Sequence, residues 1–97
     1  MICHVVLYRM KVGATGHDEE RLIDEARKRL PLLPGVKNLR AGKNIESAEG
    51  GYSVALVMDF DDVSALEAYR VHPDHQFFVK RIAEPLVSEI RRFDFGC

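Results

Sequence analysis

The ten-residue segment Tyr69-Arg70-Val71-His72-Pro73-Asp74-His75-Gln76-Phe77-Phe78 holds two of the chain's four histidines and one of its three tyrosines. Imidazole is the side chain whose ordinary pKa lies nearest neutrality, so it can take and return a proton. A phenol can donate a hydrogen bond to oxygen as negative charge develops there. Together they suit proton transfer beside a carbonyl group. Pro73 sets their geometry. The residue before a proline avoids the helical region, so His72 is expected to be extended. Pro73 fits the first helical position, which places His75 in a first turn. The positive helix end disfavours imidazolium there and favours a proton-accepting His75, while Asp74 pulls the other way. Tyr69, six residues earlier, is out of phase with His75 on a straight helix. A break at Pro73 folds the two over one pocket mouth.

A third polar group comes from the first strand, where His4, Val6, Tyr8 and Met10 share a face. If that face meets the helices, His4 sits among Val54, Leu56 and Leu22. An apolar pocket with a few converging polar groups is the usual form of a small-ligand site. The resulting assignment is His75 as base, Tyr69 as hydroxyl donor and His4 as orienter, with Val6, Tyr8, Leu22, Val54, Leu56 and His72 around the ligand. Each residue also has a structural explanation. His72 can bond a backbone carbonyl at the helix break. Tyr69 can be a core aromatic with its hydroxyl towards solvent, His4 a satisfied buried histidine, and His75 a plain helix-start residue. His17 lies in a polar helix start and reads as solvated. No His-x-His or His-x3-His spacing supports a metal site. No phosphate-binding glycine loop or nucleophile elbow is present. Neither metal nor cofactor is expected.

The elements that must position these groups read clearly. Ninety-seven residues make one domain, 1–97, at the small end of the usual range, so a partner subunit would add burial. Hydrophobic residues are 46% and charged residues 30%, ordinary for a globular chain. With a net charge of −1 and no basic stripe, nucleic acid is not an expected partner. No apolar run is long enough to span a bilayer, and no signal peptide is visible. Cys3 and Cys97 lack metal or redox spacing; they read as a small buried thiol and a terminal one, in a reducing cytoplasm.

Ile2 to Lys11 reads as a strand ended by Gly13. Thr15 and Asp18 resemble a capping box, and Leu22, Ile23, Ala26 and Leu30 recur at helical spacing until Pro31 and Pro34-Gly35. Val36 to Lys43 is a weaker strand, 44–51 a polar loop and Tyr52 to Phe60 the clearest strand. Val63 to Tyr69 is a short helix. A second runs from about Asp74 into the Ala83 region, limited by Pro85, and Val87 to Phe95 is the last strand. The order β-α-β-β-α-β predicts an α+β, ferredoxin-like subunit: an antiparallel sheet with helices on one face. Yet Val54-Ala55-Leu56-Val57-Met58 is apolar on both faces, as are Cys3, Val5 and Leu7 beside His4 and Val6. The helices cover one side only. A second copy packed sheet to sheet in a C2 homodimer would cover the other.

Nearly the whole chain resembles the stress-responsive dimeric α/β-barrel family, often called Dabb. The resemblance rests on His4-Val5-Val6-Leu7, Pro34-Gly35-Val36, Gly42-Lys43-Asn44, Gly51-Tyr52, Ala68-Tyr69, His72-Pro73-x-His75 and Phe93-Asp94-Phe95. The His-Pro-x-His corner is its most specific part. It implies a ferredoxin-like subunit and a homodimeric barrel. Most members have no established activity, and plant relatives are linked to stress response. One plant branch, typified by olivetolic acid cyclase, cyclises polyketides with a His and a Tyr that match His75 and Tyr69, and a supporting histidine that matches His4. Val54 stands where that branch has another histidine. Leu22, Ile23 and Ala26 stand where its first helix has aromatic residues, which implies that all three line the ligand pocket and that the substrate differs. The barrel is also similar in fold to small cofactor-free monooxygenases and to muconolactone-isomerase-like proteins. The leading expectation is therefore a cytoplasmic homodimer binding a small apolar carbonyl compound between sheet and helices, with cofactor-free cyclase- or isomerase-like chemistry. The alternatives are a non-enzymatic stress or binding protein and a cofactor-free oxygenase.

Overall fold

The computed structural model describes residues 1–46 and 49–97. Ser47 and Ala48, in the expected 44–51 loop, lie outside the described residues. The elements are β1 (Ile2–Met10), α1 (Gly16–Arg29), β2 (Lys37–Lys43), β3 (Tyr52–Phe60), α2 (Val63–Val71), α3 (Pro73–Phe77) and β4 (Val87–Gly96). A short 3-10 turn, Leu30–Leu32, follows α1, and another, Glu49–Gly51, precedes β3. The strands form one antiparallel sheet in the order β2-β3-β1-β4, the ferredoxin-like arrangement.

Local chemistry accounts for the boundaries. The Thr15 hydroxyl accepts from the Asp18 amide at 3.3 Å, and the Asp18 carboxylate accepts from the Thr15 amide at 2.9 Å, closing the expected capping box. Leu22, Ile23 and Ala26 form the buried stripe of α1. Gly35 adopts φ of 85°, a left-handed conformation that favours glycine, as the chain turns into β2. The Asp62 carboxylate caps α2 by accepting from the Ala65 amide at 2.8 Å.

The stretch read as one helix from Asp74 to the Ala83 region is two segments. After α3, residues Phe78–Ala83 form a π-helical turn, with the Glu84 amide donating to the Val79 carbonyl at 2.8 Å. The wider turn brings Phe78, Ile82 and Ala83 together into the core. Pro85 has no amide to donate, and the Leu86 amide closes on the Ala83 carbonyl at 2.9 Å.

Strand alternation sorts the sheet. Val6, Tyr8, Val54, Leu56, Met58 and Phe60 are buried under the helices. Val5, Leu7, Ala55 and Val57 take the opposite parity, and the register puts Phe93 beside Val5 and Phe95 beside Cys3. On this open face Leu7 is 38% exposed, Phe93 68% and Phe95 43%. Cys3 is buried and Cys97 exposed, and both are free thiols. Among the described residues no helix is long and apolar enough to cross a membrane.

Candidate functional site

The site begins where α2 stops. Pro73 prevents the helix from continuing, and His72 takes φ −65° and ψ 134°, the extended conformation required before a proline. His72 is at once the C-cap of α2 and the N-cap of α3. Its amide donates to the Tyr69 carbonyl at 3.1 Å, and its Nδ1 accepts from the Asp74 amide at 3.1 Å. It therefore satisfies an amide rather than the carbonyl expected of it, and it does not line the cavity described below. The Asp74 amide is thus engaged and cannot serve the Arg70 carbonyl, which would be orphaned at the end of α2. Two side chains satisfy it instead: His75 Nδ1 at 3.1 Å and Gln76 Nε2 at 2.7 Å.

That bond assigns the His75 tautomer. A carbonyl oxygen only accepts, so Nδ1 carries the hydrogen and Nε2 of the neutral ring carries the lone pair. Burial holds the His75 pKa below its ordinary value, opposed by the Arg70 carbonyl and reinforced by the nearby charge of Arg92 and by His4 and Arg70. Neutral His75 follows from burial first, rather than from the helix end invoked for it: α3 is only five residues long.

The helix break folds Tyr69 onto His75, with ring centroids 4.3 Å apart and planes at 43°. Tyr69 is only 3% exposed and packs against Phe60 at 5.1 Å. His4 meets Tyr69 edge to face at 6.0 Å and Phe60 at 6.1 Å. The three proposed groups are thus brought together in one cluster. The surroundings of His4 differ from those read from the sequence. The antiparallel register sets Tyr8 opposite Val54, Val6 opposite Leu56 and His4 opposite Met58. His4 therefore lies at the Phe60 end of the sheet, away from Val54.

His4 is 2% exposed and its Nδ1 is hydrogen-bonded to the Asp94 carboxylate, which makes Nδ1 the donor. The second Asp94 oxygen accepts from Arg70 at 2.6 Å, and Arg70 also meets Glu67 at 2.8 Å. A chain of contacts thus fixes the His4 ring and ties it to the last turn of α2. Tyr8 and Tyr69 have their pKa values pushed far up, chiefly by burial, so both remain hydroxyl donors. Neither hydroxyl makes a hydrogen bond among the described residues, yet no fully buried side-chain oxygen is left unpartnered, so neither is wholly buried.

His4, Arg70, His75, Gln76 and Arg92 line a cavity of about 320 Å³. Val6, Tyr8, Leu22, Ile23, Ala26, Val54, Leu56 and Tyr69 do not line it; Tyr69 stands behind His75, in ring contact with it. They pack with one another in the core, each 5% exposed or less. With no large aromatic on α1, short aliphatic chains close the sheet against the helix, and the open space lies at the polar corner instead. Arg70, Gln76, Arg92 and Asp94 were not named as site residues from the sequence. One signal was available: in β4 the period of two puts Arg92 and Asp94 on the face opposite Phe93 and Phe95, where the helices lie. Among the described residues no cluster of His, Cys, Asp and Glu is placed to hold a metal ion.

The sequence matches the family model described as the Stress responsive A/B Barrel Domain over residues 2–97. No curated protein matches it significantly. Among solved structures, a dimeric ferredoxin-like protein of unknown function from Thermobifida fusca is 29% identical, with a TM-score of 0.84, covering 99% of this chain and 90% of that one. A Dabb family protein with a ferredoxin-like fold from Mesorhizobium loti is 28% identical, with a TM-score of 0.85, covering 99% and 95%. A hydroxynitrile lyase from Passiflora edulis is 17% identical, with a TM-score of 0.81, covering 97% and 90%; at that identity the likeness is one of fold alone.

Proposed function

The chain belongs to the stress-responsive A/B barrel domain family, and from that premise we propose that it forms a homodimer whose subunits each bind a small carbonyl compound at the His4–Tyr69–His75 corner and move a proton beside its carbonyl without a cofactor. One observation carries this reading. The Arg70 carbonyl holds Nδ1 of a half-buried His75, leaving a basic Nε2 beside a cavity and against a phenol. In the reaction His75 Nε2 takes a proton from the carbon next to the carbonyl. The electron pair moves to the carbonyl oxygen, where the Tyr69 hydroxyl stabilises the enolate. The imidazolium then returns the proton to carbon, to the same or another position, or gives it to the alkoxide formed when the enolate attacks a second carbonyl in the same molecule. His4, held by Asp94, orients Tyr69 through their ring contact.

The homodimer reading rests on the apolar open face and on the dimeric description of the Thermobifida protein. The proton-transfer reading is tested by incubating the protein in D₂O with small ketones and following loss of the α-proton signal by NMR. Exchange faster than buffer, lost in His75→Gln and reduced in Tyr69→Phe, is the expected result. Equal exchange with wild type and His75→Gln would favour a binding or purely structural role for the corner.

A further inference from the structure

We propose that Arg92 is a specificity-determining residue that selects small carbonyl compounds bearing a carboxylate. This deepens the proton-transfer reading and rests on the same site. The cavity lining contains two guanidinium groups, Arg70 and Arg92, and no carboxylate. The two arginines are in different states. Arg70 is committed on both sides, to Glu67 at 2.8 Å and to Asp94 at 2.6 Å. Arg92 has no carboxylate within 4.0 Å among the described residues, although every arginine around the open-face tyrosine Tyr52 is paired: Arg9 and Arg91 both meet Glu89.

The unpaired charge is also placed with purpose. Arg92 stands opposite Val6 in the sheet register and so shares the helix-covered face with His4 and Asp94. Its neighbour Asp94, two residues on, meets His4 and Arg70 with its two oxygens rather than Arg92. A planar fork of N–H donors left open beside a cavity matches a carboxylate, which accepts two parallel hydrogen bonds. The cavity then offers complementary ends: Arg92 for the carboxylate, and His75, backed by the Tyr69 ring, for the carbonyl and its acidic carbon. The ligand class is a short oxo acid rather than the neutral apolar compound that the core residues alone would suit. Anchoring the carboxylate also fixes which α-carbon meets His75 Nε2, which confers regiochemistry as well as affinity.

The test uses 4-oxopentanoate and its methyl ester, matched in carbon skeleton and differing in charge. Affinities are read from amide chemical-shift titrations of the full chain, and turnover from α-deuterium exchange. Wild type is expected to prefer the acid by at least about tenfold, the scale of one charge-assisted pair. Arg92→Gln is expected to abolish that preference by weakening acid binding, and Arg92→Lys to restore part of it. Arg92 is exposed, so the variants retain the fold. The proposal is overturned if wild type does not discriminate, if discrimination survives Arg92→Gln, or if neither probe binds. Its failure is separable from that of the base assignment. Exchange of the ester that depends on His75, without preference for the acid, removes the Arg92 role alone. Arg92-dependent binding of the acid without exchange removes the base role alone.

Discussion

The two faces of the sheet carry polar networks of opposite construction. Under the helices, His4, Asp94 and Arg70 form a chain that begins at a buried ring and ends at the last turn of α2. On the open face the Tyr52 hydroxyl donates to Glu89 at 2.7 Å and accepts from Arg91 at 2.7 Å, with Arg9 closing on Glu89 at 2.7 Å. The first network is anchored in the subunit's own core and, among the described residues, leaves one cation, Arg92, unspent beside a cavity. The second is paired within itself and borders the apolar patch of Leu7, Ala55, Val57 and Phe93. A face completed by its own chain can hold functional groups in a fixed geometry, because packing fixes them. A face awaiting another copy keeps its charges satisfied at the edge and its apolar area free.

The sharpest way to break the contrast is to remove the packing that fixes the first network. Phe60 is wholly buried and touches both His4 and Tyr69, so Phe60→Ala is expected to cost about 4 kcal/mol in urea denaturation, the scale of a deleted core aromatic. A loss below about 1 kcal/mol would show that the corner is not part of the cooperative core. On the open face, Val57→Asp is expected to cost little in a monomer but to weaken the dimer by roughly 3 kcal/mol, because it buries an unpaired charge. Light scattering across micromolar concentrations measures this; a dimer insensitive to Val57→Asp would mean that another surface pairs the subunits.

Asp94→Asn separates the networks further. It removes the charge shared by His4 and Arg70 and is expected to cost about 2 kcal/mol. The same variant should leave dimerisation unaffected, whereas Tyr52→Phe should perturb dimerisation and leave the corner intact. The smallest effect is that of pH. Burial depresses the folded pKa of His75, so the unfolded chain takes up a proton first as pH falls. The His75 contribution is full above about pH 6.5, the unfolded value, and is lost as pH falls from there through the folded value. The His75 ring resonance should titrate with a midpoint below about 6.5, and Arg92→Gln should raise that midpoint by removing a nearby positive charge. A midpoint above that value would contradict the neutral base.

Much of this was legible because it is local. β3 occupies the residues expected, Tyr52–Phe60, since alternation and β-branched content act residue by residue. Thr15 and Asp18 announce α1 because a capping box closes within four residues. The extended His72 and helical Pro73 follow from the proline ring alone. The π-helical turn was not legible, because its width answers to the burial of Phe78, Ile82 and Ala83 against distant strands. The neighbours of His4 were not legible either. A sequence shows which residues share a face, but the register that sets His4 opposite Met58 comes from how two strands align.

By itself, then, the sequence determined the element order, the break at Pro73, the pairing of Tyr69 with His75 and the apolar character of both sheet faces. These follow from backbone sterics and periodicity over a few residues. Tertiary structure alone decided that Asp94 holds His4, that the Arg70 carbonyl sets the His75 tautomer, and that Arg92, unpaired among the described residues, stands at the cavity. Asp94 and His4 are 90 positions apart in the chain, and only the closing of β4 against β1 brings them within hydrogen-bond reach.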